Sequence, residues 1–258
     1  DWENNWALND AQGFSNASKR YPQTLQEHYR YFWNHDIAIE VITSEADFSK
    51  YELIIGPMMY LMTEDVMKRL SSYVKQGGTF VSTYITGYVN ENDLTYLGGW
   101  PQPLREMFGI KVTETDTLYP KDRNMVHYSD QSFEAKDYCS LFELEGAEVL
   151  GTYTEDFYEG KPAITRNKYG QGAAYFIGAR TNLDFLEYFY GELAKNKGLE
   201  NAWVIKGDPD VSVQSRDFED QSYRFVMNFS EETKEIQVAT ACVDLITRTT
   251  HPTTLTLA

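Results

Sequence analysis

The stretch FVSTYITGYVNENDLTYLGGWPQPLREMFGI, Phe80 to Ile110, starts the way the most reactive corner of an α/β enzyme starts. Phe80 to Tyr84 read as a buried strand. Ile85, Thr86 and Gly87 read as the turn behind it, where many doubly wound hydrolases present a nucleophile. Neither a cysteine nor a Gly-x-Ser-x-Gly elbow stands there. What remains is the outline of a reactive turn without its reactive atom.

The flanking sequence supplies the rest of an α/β layer. Thr63 is a good N-cap, Glu64 and Asp65 suit the positive end of a helix dipole, and Val66, Leu70, Tyr73 and Val74 form one apolar stripe, stopped by Gly77 and Gly78. Upstream, Glu52 to Gly56 is a nearly continuous apolar run of the kind buried in a parallel sheet, and Ile37 to Ile42 reads as a further short β-branched strand. Pro22 to Trp33 reads as a helix that gathers Leu25, Tyr29, Phe32 and Trp33 on one face. Helix, strand, strand, helix, strand predicts an open parallel sheet with helices on both faces, a flavodoxin-like layout.

Beyond Gly87 a long loop leads to a short helix at Pro103, stopped by Gly109. Strands are expected at about 111–118, 147–153, 162–166 and 173–178, the last three separated by hairpin turns at Glu159–Gly160 and Tyr169–Gly172. Asn182 caps a helix carrying Leu186, Phe189, Tyr190 and Leu193. Past Glu200 the stretches VSVQSR, SYRFVMNFS, KEIQVA and VDLIT alternate without a helical period, as a small all-β sandwich would. The boundary is expected between residues 202 and 207.

Composition narrows the function. The chain has 258 residues, 42% of them apolar, and a formal charge of −16. That charge disfavours nucleic-acid phosphates and anionic lipid surfaces as partners. No apolar run reaches the roughly 18 residues of a membrane helix, and the start at Asp1 suggests a fragment. Cys139 and Cys242 form no disulfide framework and fit a reducing, cytoplasmic setting. Asn16–Ala17–Ser18 and Asn228–Phe229–Ser230 match the glycosylation sequon, a pattern short enough to arise by chance.

Acyl chemistry on a class I glutamine-amidotransferase-like layout needs a thiolate on the turn and an imidazole beyond a later strand. Tyr175 to Phe185 holds no histidine, and Ser82, Thr83 and Thr86 are alcohols without an evident base. His28, His35, His127 and His251 show no paired metal spacing, so neither a metal nor another cofactor is implied. Gly170 and Gly172 precede a strand, which suits a hairpin and not a phosphate loop. Trp2, Trp6, Tyr88, Tyr96 and Trp100 lie on terminal and loop segments, where aromatic residues anchor interfaces.

Three motifs carry a resemblance: DWENNWAL at 1–8, Ile85 to Ile110, and DFYEGKPAITRNKYGQGAAYFIG at 156–178. In order and spacing they resemble the part of the family 42 glycoside hydrolases, the β-galactosidases, that follows the catalytic barrel. The resemblance implies a trimerisation domain over residues 1–201 and a C-terminal β-domain over 202–258. It implies a homotrimer that meets its β-galactoside only through a barrel absent from this chain, since the family's two catalytic glutamates lie on that barrel. No residue here is then catalytic, and the turn at Ile85 becomes scaffold or interface. The rivals are a free-standing hydrolase using Ser82, Thr83 or Thr86 with His127, and a carbohydrate-binding module using Trp100 and Trp203.

Overall fold

The computed structural model describes residues 1–257, the side chains of Asn16 and Lys206 excepted. The Asn16 sequon side chain therefore lies outside the described residues. Asn228, of the second sequon, is engaged in a turn: its side chain donates to the carbonyls of Glu232 and Leu257 and accepts from the Ser230 N–H.

The helices are α1 (Trp2–Asp10), α2 (Asn16–Lys19), α3 (Tyr21–Asn34), α4 (Glu64–Lys75), α5 (Arg105–Phe108) and α6 (Leu183–Lys197). The larger sheet is built from β1 (Leu53–Gly56), β2 (Thr79–Thr83), β3 (Ile110–Thr117), β4 (Asn124–Tyr128), β5 (Gln131–Leu144), β6 (Glu148–Tyr153), β7 (Pro162–Tyr169), β8 (Gly172–Ile177) and β9 (Ala179–Thr181). Smaller sheets use β10 (Val204–Lys206), β11 (Val211–Phe218), β12 (Gln221–Asn228), β13 (Lys234–Val238), β14 (Cys242–Val243), β15 (Thr250–His251) and β16 (Thr254–Leu257). The chain divides into two compact units, one of Asp1–His28 with Ile42–Leu186, the other of Tyr29–Val41 with the segment from Glu187 onward; two of the three divisions fall within α3 and α6 and the third between Val41 and Ile42.

The first unit holds the nine-stranded sheet in the order β1-β2-β8-β7-β6-β4-β5-β3, with β9 paired to β5. Only β1, β2 and β8 run parallel, Ile54 facing Phe80 and Val81 facing Tyr175. The expected parallel sheet is thus corrected to a mixed one. The cause is local: the 154–161 loop joins β6 to β7 and a tight turn at Gly170–Gln171 joins β7 to β8, and connections this short return the chain antiparallel. The expected strand at 37–42 is not formed, and Val41 is 87% exposed. A β-branched run without a ladder partner stays an extended strap. Conversely, β4 and the long β5 went unpredicted. A register shift between Lys136 and Cys139 interrupts β5, and Asp137 there has φ 59°, so no clean alternation marks it in sequence.

Two apolar clusters fill this unit. In one, Met67, Leu70 and Val74 of α4 meet Phe80, Phe108 and Phe176. The other gathers Leu8, Tyr21, Met58, Tyr60, Tyr84, Ile85, Tyr88 and Tyr138 around the turn after β2. The second unit buries Val211, Val213, Ile236, Val238 and Leu255 between the β10-β13-β16 sheet and the β11-β12 hairpin, as an all-β module should. The expected VDLIT strand shrinks to Cys242–Val243, because the Asp244 carboxylate accepts from the N–H groups of Ile246 and Thr247 and folds the chain into a turn.

Candidate functional site

β2 delivers its turn where the sequence placed it, but closed. Ile85 is fully buried at φ 57°, a left-handed conformation that a β-branched residue seldom adopts. Ser82 Oγ donates to the Gly56 carbonyl at 2.6 Å and lies 2.9 Å from Thr86 Oγ1. Thr83 Oγ1 and Thr86 Oγ1 accept the N–H groups of Met58 and Met59. These buried hydroxyls tie the turn to the loop after β1, a structural use. His127 is exposed on β4, with its Nδ1 3.5 Å from Ser132 Oγ. Burial, with Arg180 nearby, pushes the His28 pKa down to about 3, so it is neutral near pH 7. Burial also pushes the Cys139 thiol up to about 12.

A buried arginine fixes the same region. The guanidinium of Arg180, on β9, donates to the Tyr84 hydroxyl at 2.8 Å, to the Lys19 carbonyl at 2.8 Å, to the Ser18 carbonyl, and to Asp137 Oδ2 at 2.8 Å. It stands 5.4 and 5.0 Å from the ring centroids of Tyr84 and Tyr138. Burial holds both phenols above their usual pKa, so both stay neutral beside the cation. The Lys19 ammonium donates to the carbonyls of Asn9 and Ala11, capping the C-terminal end of α1.

The five aromatic residues expected at an interface separate into two groups. Asn4 and Leu8 face inward on α1, and Asn4 grips the β1–α4 loop through the Met58 carbonyl and the Leu61 N–H. The outward face then carries Trp2 and Trp6, 73% and 66% exposed. Tyr88 is buried, stacks on Trp100 with centroids 4.3 Å apart and planes at 12°, and meets Thr115 Oγ1 at 2.6 Å. Tyr96 is half-buried and donates to the Met62 carbonyl. Trp100 is half-buried, and its shielded indole N–H has no partner among the described residues.

Sequence reasoning missed two neighbours of these aromatic residues. Leu94 and Leu97 stand 62% and 87% exposed on the 89–100 loop. That loop and the end of α1 also wall a cavity of about 440 Å3, lined in part by Asp10, Phe14, Tyr60, Tyr88, Asp93 and Trp100. Its two walls come from segments far apart in the chain, so no sequence pattern marks it. Among the described residues no group of three or more His, Cys, Asp or Glu side chains is arranged to hold a metal, and no helix is long and apolar enough to cross a membrane.

Comparison with known proteins defines the class. The family profile of the β-galactosidase trimerisation domain matches residues 1–200, and that of the β-galactosidase C-terminal domain matches residues 210–257. The chain is 51% identical to β-galactosidase GalA of Bacillus licheniformis over 257 residues, covering all of this chain and 38% of that protein. It is also 51% identical to β-galactosidase GanA of Bacillus subtilis over 247 residues, covering 96% and 37%. Among solved structures, the GH42 β-galactosidase Gan42B of G. stearothermophilus superposes with a TM-score of 0.94 at 50% identity, over all of this chain and 38% of that one. The β-galactosidase of Bacillus circulans sp. alkalophilus does so with a TM-score of 0.93 at 35% identity, over all of this chain and 39% of that one. The chain belongs to the family 42 β-galactosidases and comprises their trimerisation and C-terminal domains, spanning 35–38% of the length of the curated relatives it matches.

Proposed function

We propose that this chain is the non-catalytic assembly region of a cytoplasmic, homotrimeric β-galactosidase that hydrolyses terminal β-D-galactosides with retention of configuration. Residues 1–201 serve assembly and 202–258 form the small β-domain. The reading is carried by the trimerisation-domain match over residues 1–200. The outward Trp2 and Trp6 support it, because exposed aromatic pairs are the usual anchors of protein contacts. In this reading the region from Asp1 to Leu8 and the loop carrying Tyr88, Tyr96 and Trp100 lie at or beside the subunit contact. The latter three rings act by stiffening the loop from within. The parallel β1-β2-β8 portion and the left-handed turn at Ile85 suit an amidotransferase-like scaffold that holds its shape without a nucleophile.

A paired assay tests the division of labour. The 258-residue chain alone should leave a chromogenic β-galactoside intact, while a longer protein in which a β-galactosidase barrel precedes it should hydrolyse that substrate. Turnover that follows the 258-residue chain through purification overturns the non-catalytic reading. Inactivity of the longer protein overturns the galactosidase reading.

A further inference from the structure

From the cavity between α1 and the 89–100 loop, we infer that it receives an arginine side chain from a neighbouring copy of the chain, an inference that rests on the assembly reading. Its floor is aromatic, supplied by Phe14, Tyr60, Tyr88 and Trp100, and its exposed rim carries the carboxylates of Asp10 and Asp93. None of its lining residues is basic. The basic residue near Asp10, Lys19, is only 1% exposed, donates to the carbonyls of Asn9 and Ala11 and offsets part of the Asp10 charge, so Asp93 is the rim's stronger anchor. Asp93 accepts one hydrogen bond, from the Tyr60 hydroxyl at 3.3 Å, and a carboxylate has capacity for more. A planar guanidinium matches both parts at once: it stacks on an aromatic face while its fork meets a carboxylate. An anion is repelled by the rim, and a purely apolar group leaves the carboxylates unused.

The walls are held in place before any partner arrives. Lys19 and Arg180 bind the carbonyls of the 9–19 segment. Asn90 Oδ1 accepts the N–H groups of Asn92 and Leu94 and fixes the opposite loop. Charge complementarity points to a second copy. Each copy carries −16, so copies repel one another beyond contact, and a stable contact calls for local pairing of opposite charge. Arg30, Arg216 and Arg248 are exposed and, among the described residues, have no carboxylate partner. Each copy thus has both halves of the pair. A pocket on one copy and a cation elsewhere on the next is a head-to-tail contact, the kind that closes into a ring.

The test reads the cavity and the assembly separately. Nα-acetyl-arginine amide should shift the Trp100 indole N–H resonance, assigned through Trp100→Phe, whereas the neutral citrulline analogue should not. Asp10→Asn with Asp93→Asn should weaken that response at least about tenfold. No shift, or an equal shift with citrulline, overturns the inference. Gly13 also lines the cavity, its φ lies outside the left-handed range, and a Cβ built there meets nothing within 4 Å, so Gly13→Phe places a ring at the cavity's edge without backbone strain. A folded Gly13→Phe chain that associates as wild type does overturns the inference and leaves the assembly reading standing. A wild-type chain that stays monomeric at every concentration removes the second copy as occupant and overturns the inference.

Discussion

At Arg180 the buried guanidinium holds two aromatic rings, two backbone carbonyls and the Asp137 carboxylate in one network. Removing it leaves a carboxylate and two carbonyls without their donor, so Arg180→Ala should cost about 3–5 kcal/mol. Arg180→Lys should restore only part, because an ammonium is a point donor and cannot fork. Urea unfolding monitored by tryptophan fluorescence reads both. His28 gives the pH dependence. Its folded pKa of about 3 lies below the ordinary value near 6.5, so between these the unfolded chain binds the extra proton. The stability from keeping His28 neutral is therefore present above about pH 6.5 and is lost, by a few kcal/mol, as the pH falls toward 3. His28→Gln should flatten that part of the stability curve. An equally steep curve in the variant assigns the loss to other groups.

Among the elements, glycines show where two backbones meet. A Cβ on Gly172, at the start of β8, would stand 2.1 Å from the Gly78 carbonyl oxygen and 2.3 Å from that of Val74. Backbone gives way poorly, so Gly172→Ala should cost about 3 kcal/mol or more, the upper end of overpacking. Gly160→Ala, with open space around its Cβ and φ 79°, should cost about 1 kcal/mol from backbone strain alone. Urea midpoints rank the two, and equal midpoints reject the close-approach account. The same glycines show what was legible. Gly170 and Gly172 announced the β7–β8 hairpin, since turn chemistry is local. α4, with Thr63 accepting the Val66 N–H, was equally readable. Strand partners are not local. Ile37 to Ile42 looked like a strand and lacks a ladder, while β5 hid its fourteen residues behind an irregular register. The aromatic candidates were visible as residue types, but their direction was not: α1 buries Asn4 and turns Trp2 and Trp6 outward, against ordinary helix patterning.

For the whole molecule the question is whether exposed rings or internal ones govern assembly. Tyr88 and Trp100 are packed on one another, so replacing either perturbs the loop itself and mixes stability with association. Trp2 and Trp6 make a cleaner test. They are largely exposed, and their removal should change stability by no more than about 0.5 kcal/mol. If they lie at a contact, each buried ring contributes roughly 25 cal/mol per Å2 of apolar area, a few kcal/mol per ring before ordering costs. The repulsion between copies of charge −16 opposes association and is screened by salt. Light scattering should thus show the mass rising with protein concentration toward three times 29.8 kDa, more readily at moderate salt than at very low salt. Trp2→Glu with Trp6→Glu should hold the chain near the monomer while leaving its urea midpoint almost unchanged. A double variant that still assembles moves the contact to the Leu94 and Leu97 side of the loop or beyond it. A stable two-fold dimer in place of a ring of three contradicts the trimer, because a two-fold contact joins the same patch on both copies and closes at two.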